Sequence, residues 1–144
     1  MSMLGAMSKK SAKIAALIDQ CQGRNLNAHY LGYFACFNRG LFYEAHEVLE
    51  ELWLADRHGP NGSFYKGLIQ LAGAFVHLQK GRPRPAAALF KLARTNLSKY
   101  PEVHLRLGVR ETLSMIDHWL GPLEKNGINP LLVEAAPWLE LARQ

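Results

Sequence analysis

Glu44-Ala45-His46-Glu47-Val48-Leu49-Glu50-Glu51-Leu52-Trp53, followed by Gly67-Leu68-Ile69-Gln70 and then His77, is the part of the chain whose reading decides the fold. On a helical wheel at about 100° per residue, Phe42, Leu49 and Trp53 fall within about 60° of His46, while Glu44, Glu47 and Glu51 share a separate narrow sector. The segment is therefore an amphipathic helix whose apolar arc carries His46 at its centre and Glu50 at its edge. The other three glutamates face solvent by position. An unpaired carboxylate costs on the order of several kcal/mol to bury, so Glu50 is expected to pair with His46, one turn away.

The second motif lies on a run from Ser63 to Lys80, where Ser63, Gly67, Gln70, Gly73, Ala74 and His77 form a stripe of small and polar residues. Small side chains let a neighbouring helix approach closely. The two motif helices are expected to be antiparallel neighbours whose inner faces share a His46/Glu50/Gln70/His77 cluster, with Glu44, Trp53 and Gly67 supporting the motif.

Working outward, turn chemistry cuts the rest of the chain into helices. A first is expected from Ser8 or Ser11 through Gln22, ended by Gly23, and a second from Asn27 to Asn38, ended by Gly40. The motif helix covers about residues 41–55, and His58-Gly59-Pro60-Asn61-Gly62 separates it from the run 63–80. Gly81-Arg82-Pro83-Arg84-Pro85 precedes a fifth helix to about Tyr100, with Pro85 in its first turn. A sixth spans about residues 105–120, and a short terminal helix opened by Pro137 is expected to offer Trp138, Leu139 and Leu141 to the core. Nothing reads as strand. The fold class is all-α: a compact array of about six to seven helices built on antiparallel hairpins.

A faint internal repeat supports the hairpins. Phe37, Gly40, Ala45, Leu49 and Leu52 align without gaps with Leu78, Gly81, Ala86, Phe90 and Ala93. Helix, glycine turn and a second helix with alanine at the approach is the recipe of tetratricopeptide-like pairs, though two units are too few for a solenoid.

At 144 residues and 49% hydrophobic composition the chain suits one domain, 1–144, with residues 1–8 expected to be disordered. Cys21 and Cys36 lack any metal-like or redox spacing, which points to reduced thiols and a cytoplasmic location. The apolar runs are too short for a signal peptide or a membrane span. The formal charge of +5 is uneven. Lys80, Arg82, Arg84, Lys91, Arg94, Lys99, Arg106 and Arg110 stand against Glu102 alone, while Glu44, Glu47, Glu50, Glu51 and Asp56 stand against Arg57. The two segments are expected to face each other within a protomer or across a dimer. The basic segment lacks the aromatic interleaving of a nucleic-acid platform and has no helix-turn-helix or finger signature, so it reads as a solvated face.

The run from Phe37 to Trp53, with Phe64 to Ala72, resembles the uncharacterised helical family known as domain of unknown function 309 (DUF309). The likeness covers about residues 28–100. What it implies is a compact all-helical protein with no established activity. Pro83-Arg84-Pro85 departs from the glycine-containing turn of relatives.

Three functional readings follow. In the first, the protein is a structural, interaction or small-ligand-binding module, alone or as a homo-oligomer, and the polar cluster is a hydrogen-bonded clasp. In the second, it is a metal-dependent hydrolase. His46 and Glu50 at i, i+4 hold a divalent metal from one helix face, His77 is a third ligand, Glu47 a general base, and Gln70 orients a water. The third is nucleic-acid or anion binding by the basic segment. No phosphate-cradling loop, nucleophile elbow or dinucleotide fingerprint is present.

Overall fold

A computed structural model describes Ala12, residues 14–16 and residues 26–142 of the chain. Ala12 and residues 14–16 are helical, and Ile14 is buried against the core. The rest of the expected first helix, Cys21, and the expected disorder of residues 1–8 lie outside the described residues. The chain continues as α1 (Ala28–Phe37), α2 (Phe42–Asp56), α3 (Gly62–Gln79) and α4 (Pro83–Leu97). Then come a two-stranded hairpin, β1 (Val103–His104) and β2 (Leu107–Gly108), α5 (Val109–Asn126) and a 3-10 turn, Pro130–Leu132. Each helix from α2 to α5 packs on its predecessor, so the architecture is an all-α array. Among the described residues no helix is long and apolar enough to cross a membrane.

The repeat is physical. Gly40 and Gly81 adopt left-handed conformations, φ +73° and +69°, with open space where a Cβ would sit. Each closes a Schellman turn, in which the next residue's N–H reaches back five residues: Leu41 to the Cys36 carbonyl at 2.9 Å and Arg82 to the His77 carbonyl at 2.8 Å. Just beyond each turn Ala45 and Ala86 are fully buried, and Leu49 and Phe90 enter the core one turn later. An aromatic column joins the elements. Phe75 of α3 stacks on Phe42 at 4.9 Å and meets Phe37, Phe90 and Trp119 edge-on at 5.7, 5.3 and 5.0 Å.

Pro83 and Pro85 both fall in the first turn of α4, where backbone N–H groups have no intrahelical partner, so α4 starts earlier than Pro85 alone suggests. The stretch after Tyr100 departs most from expectation. Residues 103–108 form a strand hairpin instead of the start of a helix. Leu105 and Arg106 take φ of +46° and +65° without the Asn-Gly pair such a turn favours. Tertiary bonds hold them there: Tyr30 Oη donates to the Leu105 carbonyl at 2.9 Å, and Arg106 exchanges bonds with Ala142 in both directions. Helix α5 runs through Pro122, because Leu123 beyond it is needed in the core, and ends at Gly127, φ +69°.

The expected terminal helix is absent. The tail is extended and bridges Leu141 to Leu107, and Asn38 fixes Leu139 through bonds of 2.8 and 2.7 Å to its carbonyl and N–H. This places Leu139 inside and leaves Trp138 77% exposed, contrary to its expected core role. An extended chain alternates faces, so the two neighbours cannot both enter.

Candidate functional site

The motif helix α2 lies beside α3, and the Gln79 amide donating to the Gly40 carbonyl at 3.2 Å fixes the end of α3 next to the start of α2. A cleft of about 390 Å³ opens between them, with Leu89 of α4 also in its lining. Its lining includes all four members of the expected cluster, His46, Glu50, Gln70 and His77. Tyr43, Lys66 and Lys80 join them. The four share a cleft but do not form a mutually bonded clasp. His46 Nε2 stands 3.8 Å from Glu50 Oε2, a loose ion pair with the carboxylate 43% exposed rather than buried.

Gln70 finds its partner elsewhere. Its Oε1 accepts from the Asn96 amide of α4 at 2.8 Å, and Lys99 donates in turn to Asn96 Oδ1 at 3.1 Å. The small stripe of α3 serves α4 in the same way. A Cβ on Gly67 would lie 2.9 Å from Leu97 Cγ, and one on Gly73 would lie 3.1 Å from Leu89 Cδ1. The close approach inferred from these glycines is real, but its beneficiary is α4 rather than α2.

His46 Nδ1 and His77 Nδ1 are buried and, among the described residues, make no hydrogen bond. Burial, with Arg82 and Lys80 adding to it, holds the His77 imidazole below its ordinary value, so it is neutral at pH 7. Glu47 is half-buried and outside the cleft lining, Glu44 sits in the first turn of α2, where a carboxylate suits the helix dipole, and Glu51 is exposed. Trp53 presents its ring to Lys66, whose ammonium lies 4.3 Å from the centroid. Among the described residues no three His, Cys, Asp or Glu side chains gather in a way that could hold a metal ion.

Three of the eight cations of the basic segment are paired within the protomer, and none of these three with the acidic motif helix. Lys91 pairs with Glu124 at 2.8 Å and Arg94 with Asp117 at 3.0 Å, both across α4 and α5, and Arg110 pairs with Glu102 at 3.3 Å. The remaining histidines have structural partners more often than solvent. His29 meets the Val48 carbonyl at 3.2 Å, His104 meets Asn61 at 2.7 Å, and His118 pairs with Glu134 at 2.8 Å. Lys66 and Lys80 were legible as cleft residues, since they stand four before Gln70 and three after His77 on one helix face. Asn96 was not, because only the packing of α4 brings it there.

Residues 30–89 match the model of a family described as a domain of unknown function, DUF309. A protein of Aquifex aeolicus (strain VF5), described as uncharacterized, is 31% identical over 88 residues. That match covers 61% of this chain and 26% of the relative, so the chain spans about a quarter of the relative's length. No solved structure matches the chain.

Proposed function

We propose that this protein, whose residues 30–89 match the DUF309 family model, is a small-ligand-binding helical module with the α2–α3 cleft as its site. One observation carries the reading: two imidazoles on the same cleft each keep a buried nitrogen that has no hydrogen-bond partner among the described residues. Buried polar groups are nearly always satisfied, and an unsatisfied one costs about 1–3 kcal/mol. A clasp retained for stability would use those atoms. The repeat supports the same conclusion. The register equivalents of Tyr43, His46 and Glu50 in the second hairpin are Arg84, Ala87 and Lys91, so hairpin packing does not require the first set.

The test is the stability of His46→Leu and His77→Leu, measured by urea denaturation with and without a chelator. Each variant is expected to gain about 1 kcal/mol, because an unsatisfied buried nitrogen is replaced by carbon at similar volume. A loss of about 1–3 kcal/mol would make the cluster a structural clasp instead. The wild-type curve is expected to be indifferent to chelator; a chelator-sensitive curve would bring forward the reading in which His46, Glu50 and His77 hold a divalent metal with Glu47 as base.

A further inference from the structure

The charges around the cleft narrow what it takes, on the premise that it is a ligand site. Because α2 and α3 are antiparallel, Tyr43 and His46 share one end of the cleft with His77 and Lys80, and Glu50 shares the other with Gln70 and Lys66. Gln70 to Lys80 spans about 15 Å along the helix, so the cleft is a trough rather than a point. The polar groups of the Glu50 end are engaged: Gln70 by Asn96, Lys66 by the Trp53 ring, and Glu50 by His46.

At the opposite end Lys80 stands apart. Among the described residues Lys80 makes no ion pair, although Lys91, Arg94 and Arg110 each lie within 3.3 Å of a carboxylate. Arg82 adds a second cation near His77, and Glu50, the carboxylate of the cleft lining, sits one turn farther along α2 with its oxygen 3.8 Å from His46 Nε2. Between the two ends Ile69, Gly73, Val76 and Leu89 supply an apolar bed. We infer that the cleft binds a small molecule bearing an anionic oxygen group, phosphate or carboxylate, seated between His77 and Lys80, with its apolar part lying along Val76 and Gly73 toward Gln70. The Lys80 ammonium supplies a charge-assisted bond and the imidazole a second, directional one. A volume of about 390 Å³ suits a ligand of this size.

The experiment is an amide-resolved NMR titration of the full chain with inorganic phosphate and, separately, acetate, at ionic strength matched with sodium chloride. One or both probes are expected to shift His77, Lys80 and Tyr43 saturably. Lys80→Gln should weaken that binding about five-fold, while Arg84→Gln, an exposed cation of the neighbouring groove, leaves it unchanged. The probe that saturates first assigns phosphate or carboxylate. The inference fails if neither probe saturates, if Lys80→Gln binds like wild type, or if Arg84→Gln weakens binding equally. It fails alone, leaving the ligand-site reading intact, if a neutral amide such as acetamide saturates the cleft and neither anion does. Unshifted resonances away from the site in Lys80→Gln confirm that the exposed substitution leaves the fold in place.

Discussion

Hairpin α1–α2 and hairpin α3–α4 share a register and a turn, and they diverge in what their second helices show to the adjacent cleft. The positions that make the turn and the helix contact agree: Gly40 with Gly81, Ala45 with Ala86, Leu49 with Phe90. The positions facing outward from that contact do not. Tyr43, His46 and Glu50 line the 390 Å³ cleft between α2 and α3. Arg84, Ala87 and Lys91 line an open groove of about 800 Å³ between α4 and α5, crossed by the Lys91–Glu124 ion pair. Backbone geometry permits few solutions at a left-handed cap or a close crossing, so those positions converge; a cleft wall is under no such restriction and carries chemistry.

The sharpest way to break the equivalence is at the core. Phe34 and Phe75 hold the same register position, but Phe75 touches four aromatic rings, one from each of four other helices, whereas Phe34 meets Tyr30 and Tyr33 of its own helix. Truncating a buried phenylalanine to alanine costs about 3–5 kcal/mol, and Phe75→Ala is expected at the top of that range and Phe34→Ala at the bottom, by denaturant melts. Equal losses would mean that the column is not the centre of the core.

A smaller effect tests the sameness of the turns. Gly40→Ala and Gly81→Ala each force a Cβ into the left-handed region, at about 1–2 kcal/mol, with no neighbour to clash. The two penalties should match within error; a wide gap would show that one turn is held by more than its Schellman bonds.

The smallest effect concerns how each hairpin begins. Helix α1 is capped locally, its Asn27 side chain accepting from the His29 and Tyr30 N–H groups. Helix α3 is capped from afar: Tyr100 Oη accepts from the Phe64 N–H at 3.0 Å and donates to the Pro60 carbonyl, and Asn61 is engaged by His104. Burial holds the His104 imidazole below its ordinary value of 6.5. The unfolded chain then takes up a proton that the folded one resists, so this contribution is fully present above about 6.5 and is lost as pH falls through the folded value. The urea midpoint should drop from pH 7 to pH 5, and His104→Gln should flatten that drop in part, His77 supplying a share of the same sign. An unaltered slope would remove His104 from the account.

The same contrast explains what could be read in advance. Asn27, Gly40, Gly81, the prolines of α4 and the arc that sets His46 and Glu50 on one face are local signals, fixed by neighbours within a few residues. The antiparallel hairpins and the shared cleft follow from them. The strand hairpin was illegible, because Leu105 and Arg106 carry no turn signature and are held left-handed by Tyr30 and Ala142. Trp138 was misplaced for a related reason: an apolar residue in a short tail declares its hydrophobicity but not the side of the chain it will occupy.

By itself, then, the sequence determined the helices from α1 to α4, the local cap at Asn27, the glycine turns, the repeat and which residues share a helix face, since each is a matter of backbone sterics and periodicity over one or two turns. Only the tertiary structure decided that Gln70 would be taken by Asn96, that the glycines of α3 would admit α4, and that Lys80 would stand beside His77 with no ion pair among the described residues. Those outcomes depend on which helix lies against which, and that is settled by the packing of the whole core rather than by any one segment.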